Sequence, residues 1–445
     1  MSLALTPAKT LKEAYRICDV VPLEGTDFER YYVALTGVRN RRAIASVLKR
    51  LDYLNAGETS TILFTGHRGC GKSTELKRIQ NQLEASYQVI YLDVEQEVDV
   101  NDLVYSDLYL IVIKHVEIAL RQLNLSLNEK LKNSFERWFA EVTEETEETV
   151  EKSVGIDSEA SLGLNPGFLA KLLAKATAKI KGAFKEKTTI RKVLEQDISR
   201  LLSDINLLLD DASDKLRKKH PEKKGFLIIF DNLDRLAPDI ADRLFFNYAN
   251  QLRSVRCNII YTVPISVLCS ERNISNIFDD PHLISMPNLY HLDRSQWQLA
   301  YNPQALDEVA QVLEQRMDVD QLFESRDVLL TLVQASGGHV RQLMTMTRNA
   351  IMSADINDHD RVLADDVTYA INQQQFAFER LVPQKHYTKL AAVMGDKSVP
   401  VDQDGKLMLF NLSVLEYNGT NRWNYPNPVV QRSEAFQDAL RRQMA

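Results

Sequence analysis

The chain has no run of roughly 18 or more consecutive apolar residues, the length a membrane-spanning helix needs, so no membrane span is expected in its 445 residues. It has only four cysteines, Cys18, Cys70, Cys257 and Cys269, scattered and without CxxC spacing. That pattern fits neither a disulfide framework nor a zinc site, and it suits a reducing cytoplasm. The opening residues MSLALTPAKTLKEAY lack a basic segment followed by a long apolar run, so no secretory leader is expected there. No internal repeat is evident. The net charge of -7 gives no global sign of nucleic-acid binding, which would then depend on a local basic face.

What is present is enough apolar residue for two or three domains with real cores. Thr61-Ile-Leu-Phe-Thr65 has strand character, and Gly66-His-Arg-Gly-Cys-Gly-Lys-Ser73 follows at once. Next comes TELKRIQNQLEA, with Leu76, Ile79 and Leu83 on one helical face. This is a phosphate loop, GxxxxGKS, in its strand–loop–helix setting. Gly66, Gly69 and Gly71 let the backbone curl so that N–H groups point at phosphate oxygens, with Cys70 and Thr74 completing the cradle. The helix start adds its positive dipole end. Lys72 would reach the β- and γ-phosphates of ATP, and Ser73 would ligate Mg²⁺. Cys70 is either a thiol activated by the helix start or a small residue tolerated in a tight loop.

A second stretch, LIIFDNLDRLAP (Leu227–Pro238), ends a buried apolar strand on two acids. A phosphate loop needs a further carboxylate for its metal, supplied by the end of a neighbouring parallel strand. Asp231 is that residue, sharing Mg²⁺ with Ser73. Position 232 is Asn, which cannot act as a base. Asp234 either polarises the attacking water in its place, or caps the next helix or pairs with Arg235.

With both motifs placed, the chain resembles the AAA+/STAND group of P-loop ATPases. FDNLDRL looks like the hhhhDxxD Walker B of KAP- and NACHT-type members. The likeness spans most of Thr61–Arg348, although only the two Walker motifs are specific. It implies an α/β fold: a parallel-sheet P-loop core with a helical lid, a helical insertion and a C-terminal winged-helix-like domain. By the same likeness Thr262, ending CNIIYTVPIS, is the sensor 1 position. Arg341, in ASGGHVRQLMTMTRNAI, is the sensor 2 candidate of an origin-recognition-type lid. Arg272 is the candidate arginine finger from a neighbouring subunit, with Arg256 as fallback, and Val38 and Arg39 are candidates for the adenine contact.

The domains read as 1–55 (N-terminal strap and helix), 56–290 (ATPase core, with an insertion at about 123–190), 291–360 (lid) and 361–445 (winged-helix-like). The insertion opens acidic at Glu141–Lys152 and turns basic through Gly167–Lys187. There Leu169, Leu172, Leu173, Ala176 and Ile180 share one side, and Lys171, Lys175 and Lys179 follow a four-residue step. It is either a membrane-surface, nucleic-acid or partner contact, or a helix packing on its own core. LMLFNLSVLEY followed by Asn418-Gly419 reads as a strand entering a hairpin. The expected function is a Mg²⁺-dependent, slowly hydrolysing STAND-like signalling or assembly ATPase, in a bacterial antiviral system by family resemblance alone. Self-association is expected, as is a protein partner bound through the insertion or the C-terminal domain. Two alternatives stand beside it. One is an origin-recognition or transposition ATPase whose DNA affinity falls steeply with salt. The other is a nucleotide-locked scaffold that barely hydrolyses.

Overall fold

The computed structural model describes residues 7–39, 42–143, 167–182, 184–419 and 421–445. Five apolar segments form one parallel sheet: β1 (Thr61–Gly66), β2 (Gln88–Asp93), β3 (Phe226–Asp231), β4 (Asn258–Pro264) and β5 (His282–Ile284). Their spatial order is β2-β3-β4-β1-β5. β3 and β4 are buried at every position, which is why Phe226–Phe230 and Ile259–Tyr261 read as apolar runs.

One expectation needs correcting: the strand carrying Asp231 is not the immediate neighbour of β1. β4 lies between them and pairs with both. The two motifs still meet, because parallel strands end on the same edge and neighbours lie only about 4.8 Å apart.

Three helices precede β1: α1 (Leu11–Ile17), α2 (Gly25–Tyr31) and α3 (Arg42–Tyr53). α4 (Lys72–Leu83) leaves the phosphate loop and buries Leu76, Ile79 and Leu83 against the sheet. α5 (Tyr105–Gln122) follows β2. The long connection to β3 then holds α6 (Glu129–Val142), α7 (Phe168–Gly182), α8 (Phe184–Gln196) and α9 (Ile198–Lys219). The apolar side of α7, Leu169, Leu172, Leu173, Ala176 and Ile180, joins one core cluster with α5 and with Leu201, Ile205 and Leu208 of α9. The apolar face of the basic helix is therefore used inside the protein. Of the acidic run, residues 144–152 lie outside the described residues.

After β5 come α10 (Pro303–Glu314), α11 (Arg326–Ser336) and α12 (Val340–Ile356), then α13 (Ala364–Leu381), α14 (His386–Asp396) and α15 (Gln403–Phe410). An antiparallel hairpin of β6 (Val414–Asn418) and β7 (Arg422–Pro426) precedes the last helix, α16 (Glu434–Met444). Here too the structure differs from the sequence reading. Leu407–Phe410 is helical, because Asp402 caps α15 by accepting from the Gly405 N–H at 2.8 Å and successive Met408 and Leu409 are both buried. Only Val414 onward is strand. Among the described residues no helix is long and apolar enough to cross a membrane.

Candidate functional site

A cleft enclosing about 980 Å³, including its open mouth, lies over the C-terminal edge of the sheet. One end is formed by Arg68–Glu75 with Asn232, Asp234, Arg235 and Arg341. The other is formed by Asp19–Leu23, Tyr31–Val33, Leu35, Arg39, Val312, Arg316, Val340 and Met344.

The loop conformation follows from its glycines. Gly69 and Gly71 hold φ of +84° and +98°, which residues with a Cβ rarely adopt. A Cβ on Gly69 would also lie 2.6 Å from the Cβ of Arg341 and 2.9 Å from Cε1 of His339. The start of α12 therefore approaches the loop as closely as a glycine permits. The Arg341 N–H donates to the Gly69 carbonyl at 3.1 Å. His339 accepts from the Gln342 N–H through Nδ1 at 3.1 Å, so its Nε2–H donates to the Arg68 carbonyl.

Lys72 is 4% exposed, and all three of its N–H groups are engaged. Nζ donates to the carbonyls of Gly66 at 3.0 Å and His67 at 2.8 Å, and pairs with Oδ2 of Asp234 at 2.8 Å. Burial alone would lower the ammonium pKa, but Asp234, with Cys70 and Asp231 adding to it, raises it on balance. Asp234 thus faces Lys72, not Arg235, whose own ion pair is with Glu95.

Burial pushes the Asp231 carboxyl above its ordinary range, against opposing hydrogen bonds from Tyr91 and Ser73. The Tyr91 hydroxyl donates to Oδ2 at 2.6 Å. The Ser73–Asp231 contact places two hard oxygen donors together beside the loop, the pairing Mg²⁺ takes when phosphate oxygens and water fill its remaining positions. Asn232 sits at φ +68°, and its side-chain amide donates to Asp93 at 2.7 Å.

Thr262 is fully buried and does not line the cleft. Its hydroxyl donates to the Phe230 carbonyl at 3.0 Å and accepts from the Leu233 N–H at 3.0 Å, fixing the turn that presents Asp231 and Asp234. Arg341 lines the cleft with its pKa lowered, first by burial and then by Arg235 and Arg68 nearby. Arg272 lies outside the cleft: it bonds Asn247 at 2.7 Å and stacks on Phe246. Arg256 precedes β4 and pairs with Asp210 at 2.7 Å, at the sheet edge opposite the cleft. Val38 is buried away from the cleft with its carbonyl bonded to Asn288. Arg39 lines the cleft but is committed to Glu75 and the Cys70 carbonyl.

Sequence reasoning missed Tyr91, Arg68, His339 and Arg316, and it missed the reach of His67. His67 is buried, and its Nε2 accepts from the Glu416 N–H of β6 at 2.8 Å. Burial, with His339 and Lys72 nearby, lowers its pKa to about 3. His339 is likewise held at about 3, chiefly by burial. His67 had a local signal, its place within the loop, but a partner 349 residues away has none.

The family model for the KAP family P-loop domain matches residues 40–260, just under half of the chain, and spans both motifs. No curated protein matches it in sequence. Similar solved structures include the ORC2 protein of Aeropyrum pernix in ADPNP–ADP complexes, at 12% identity and TM-score 0.38, covering 96% of this chain and 98% of that one. The walker-type ATPase paby2304 of Pyrococcus abyssi is 12% identical with TM-score 0.41, covering 96% and 99%. Drosophila ORC bound to DNA is 11% identical with TM-score 0.37, covering 99% and 95%. These values are too low to carry an inference. The match to the P-loop family and the strand–loop–helix geometry make the protein a P-loop ATPase.

Proposed function

We propose that this P-loop ATPase is a nucleotide-operated switch, a signalling or assembly ATPase of STAND-like type. In this reading ATP held between sheet and lid favours one placement of the C-terminal region, and hydrolysis releases it. The observation that supports it is that one loop touches both moving parts. Gly69 bonds the first turn of α12, and His67 bonds β6. A triphosphate entering the loop must draw Lys72 away from the His67 carbonyl, on the residue that contacts the hairpin.

The roles follow from position. Backbone N–H groups of Gly69–Thr74 and the Lys72 ammonium would hold the phosphates, and Arg68 and Arg341 would add charge to the same end of the cleft. Ser73 and Asp231 would hold Mg²⁺, which when bound neutralises phosphate oxygens. Asp234, released from Lys72, would accept the proton of the attacking water. A bacterial antiviral setting rests on the family resemblance alone.

The test is hydrogen exchange of α12 and β6 with and without ATP-Mg²⁺, in wild type and Lys72→Ala. Protection should change in both elements in wild type and in neither in the variant. Unchanged exchange in wild type that nevertheless binds ATP would refute the switch. Light scattering should also show a different mass with ATP.

A second reading, the locked scaffold, is favoured by one feature: Asn232 replaces the usual acid and is turned onto Asp93. Phosphate release by wild type and Asp234→Ala separates the two. An equal, near-zero rate in both would select the scaffold.

A further inference from the structure

Arg316, just beyond α10, is 5% exposed and lines the cleft, yet no carboxylate among the described residues lies within ion-pair distance of it. Only its Nη1 is used. That nitrogen donates to the carbonyls of Val312 at 2.6 Å and Tyr31 at 3.2 Å. A guanidinium carries five N–H donors, and among the described residues none accepts from Nε or Nη2. The guanidinium carbon lies 5.2 Å from the centroid of the Tyr31 ring, and the nitrogens left over are free to donate to a ligand in the cleft.

Its place in the cleft decides which part of the ligand that is. Arg316 is fixed to the wall built by Tyr31 and Val312, whose carbonyls it bonds, whereas Arg341 is fixed to the loop through the Gly69 carbonyl. A nucleotide anchored by its phosphates on the loop must extend its base toward the Arg316 end. Val20, Pro22, Leu35, Val312 and Met344 there accept a flat ring, and of the polar side chains beside them Arg39 and Tyr32 are already committed to Glu75.

We propose that Arg316 is the residue that reads the nucleobase, donating from Nε and Nη2 to a ring nitrogen of the purine. The inference rests on the cleft being a nucleotide site. Its donors match acceptor atoms of the base, and they repel an exocyclic amino group turned toward them.

The experiment compares ATP with inorganic tripolyphosphate, which has the phosphates but no nucleoside, on wild type, Arg316→Met and Arg316→Lys. Thermal melting without ligand serves as the folding control. Arg316→Met should weaken ATP binding by roughly ten- to a hundred-fold, the range for a hydrogen bond from a charged donor. It should leave tripolyphosphate within about two-fold, because no phosphate contact is removed. Arg316→Lys should be intermediate. Among deaza-ATP analogues with one ring nitrogen replaced by CH, wild type should lose affinity for at least one and Arg316→Met for none. Equal losses for ATP and tripolyphosphate would make Arg316 only a brace between lid and strap, and unchanged ATP binding would place it off the ligand. Either result overturns the inference. Wild type that binds tripolyphosphate but not ATP also overturns it while sparing the phosphate site. Wild type that binds neither overturns the underlying reading as well.

Discussion

The phosphate half of the cleft comes almost entirely from one contiguous stretch, Gly66–Thr74, with two acids from the end of β3. The other half, proposed for the nucleoside, draws on residues 19–23, 31–33, 35, 39, 312, 316, 340 and 344, which no local pattern connects. In the first, backbone conformation and one lysine would do the binding, which constrains residue identities tightly. In the second, an apolar wall of suitable shape would serve, and Arg316, the polar group with donors to spare, arrives from just beyond α10. The contrast teaches that a motif is visible in sequence when the chemistry needs successive backbone atoms. It is invisible when the chemistry needs only a surface.

The largest expected effect falls on the phosphate half. Lys72→Ala should abolish ATP binding, and it should also destabilise the nucleotide-free protein. It leaves the Asp234 carboxylate, 6% exposed, without its partner, and breaking a buried pair from one side costs about 3–5 kcal/mol. Denaturant unfolding of Lys72→Met and of the Lys72→Met/Asp234→Asn double variant would sharpen this, since the double variant should regain stability without regaining binding. Equal stability in the two would mean the pair is not a buried liability.

Acid should act on the same half next. His67 and His339 are held neutral with pKa values of about 3, whereas unfolded histidine titrates near 6.5. Below 6.5 the unfolded chain takes up protons that the folded protein refuses, so stability falls as pH falls toward about 3 and is recovered above 6.5. Each histidine should contribute about 1.4 kcal/mol of loss per pH unit within that window. Urea midpoints measured from pH 7 to 5 check it, and a flat profile would contradict the burial of both rings.

A smaller effect is expected from Thr262→Val. It leaves the Leu233 N–H and the Phe230 carbonyl without the hydroxyl that joins them, at about 1–3 kcal/mol. If ATP hydrolysis falls no further than this loss of folded protein explains, Thr262 positions the turn rather than sensing phosphate. The smallest effect is expected from Arg272→Ala, which touches neither half. Hydrolysis per chain should be unchanged at dilutions where light scattering shows single chains. A fall there would place Arg272 in its own cleft, contrary to its stacking on Phe246.

The sequence by itself determined a good deal. Strands β1, β3 and β4, the helix after the loop, the apolar face of α7 and the GxxxxGKS loop itself were legible, because each depends on short-range periodicity or a contiguous motif. Leu407–Phe410 was misread because short apolar runs look alike as helix or strand until a cap such as Asp402 is recognised.

Only the tertiary structure decided that β4 separates the two Walker strands, that Lys72 rests against Asp234, and that Arg316 stands with idle donors at the far end of the cleft. It alone placed a buried histidine of the phosphate loop under the C-terminal hairpin. The physical reason is range. Backbone geometry and periodicity act over a few residues, whereas a side chain's electrostatic and hydrogen-bond partners are chosen by packing. Packing joins parts of the chain that carry no mark of one another.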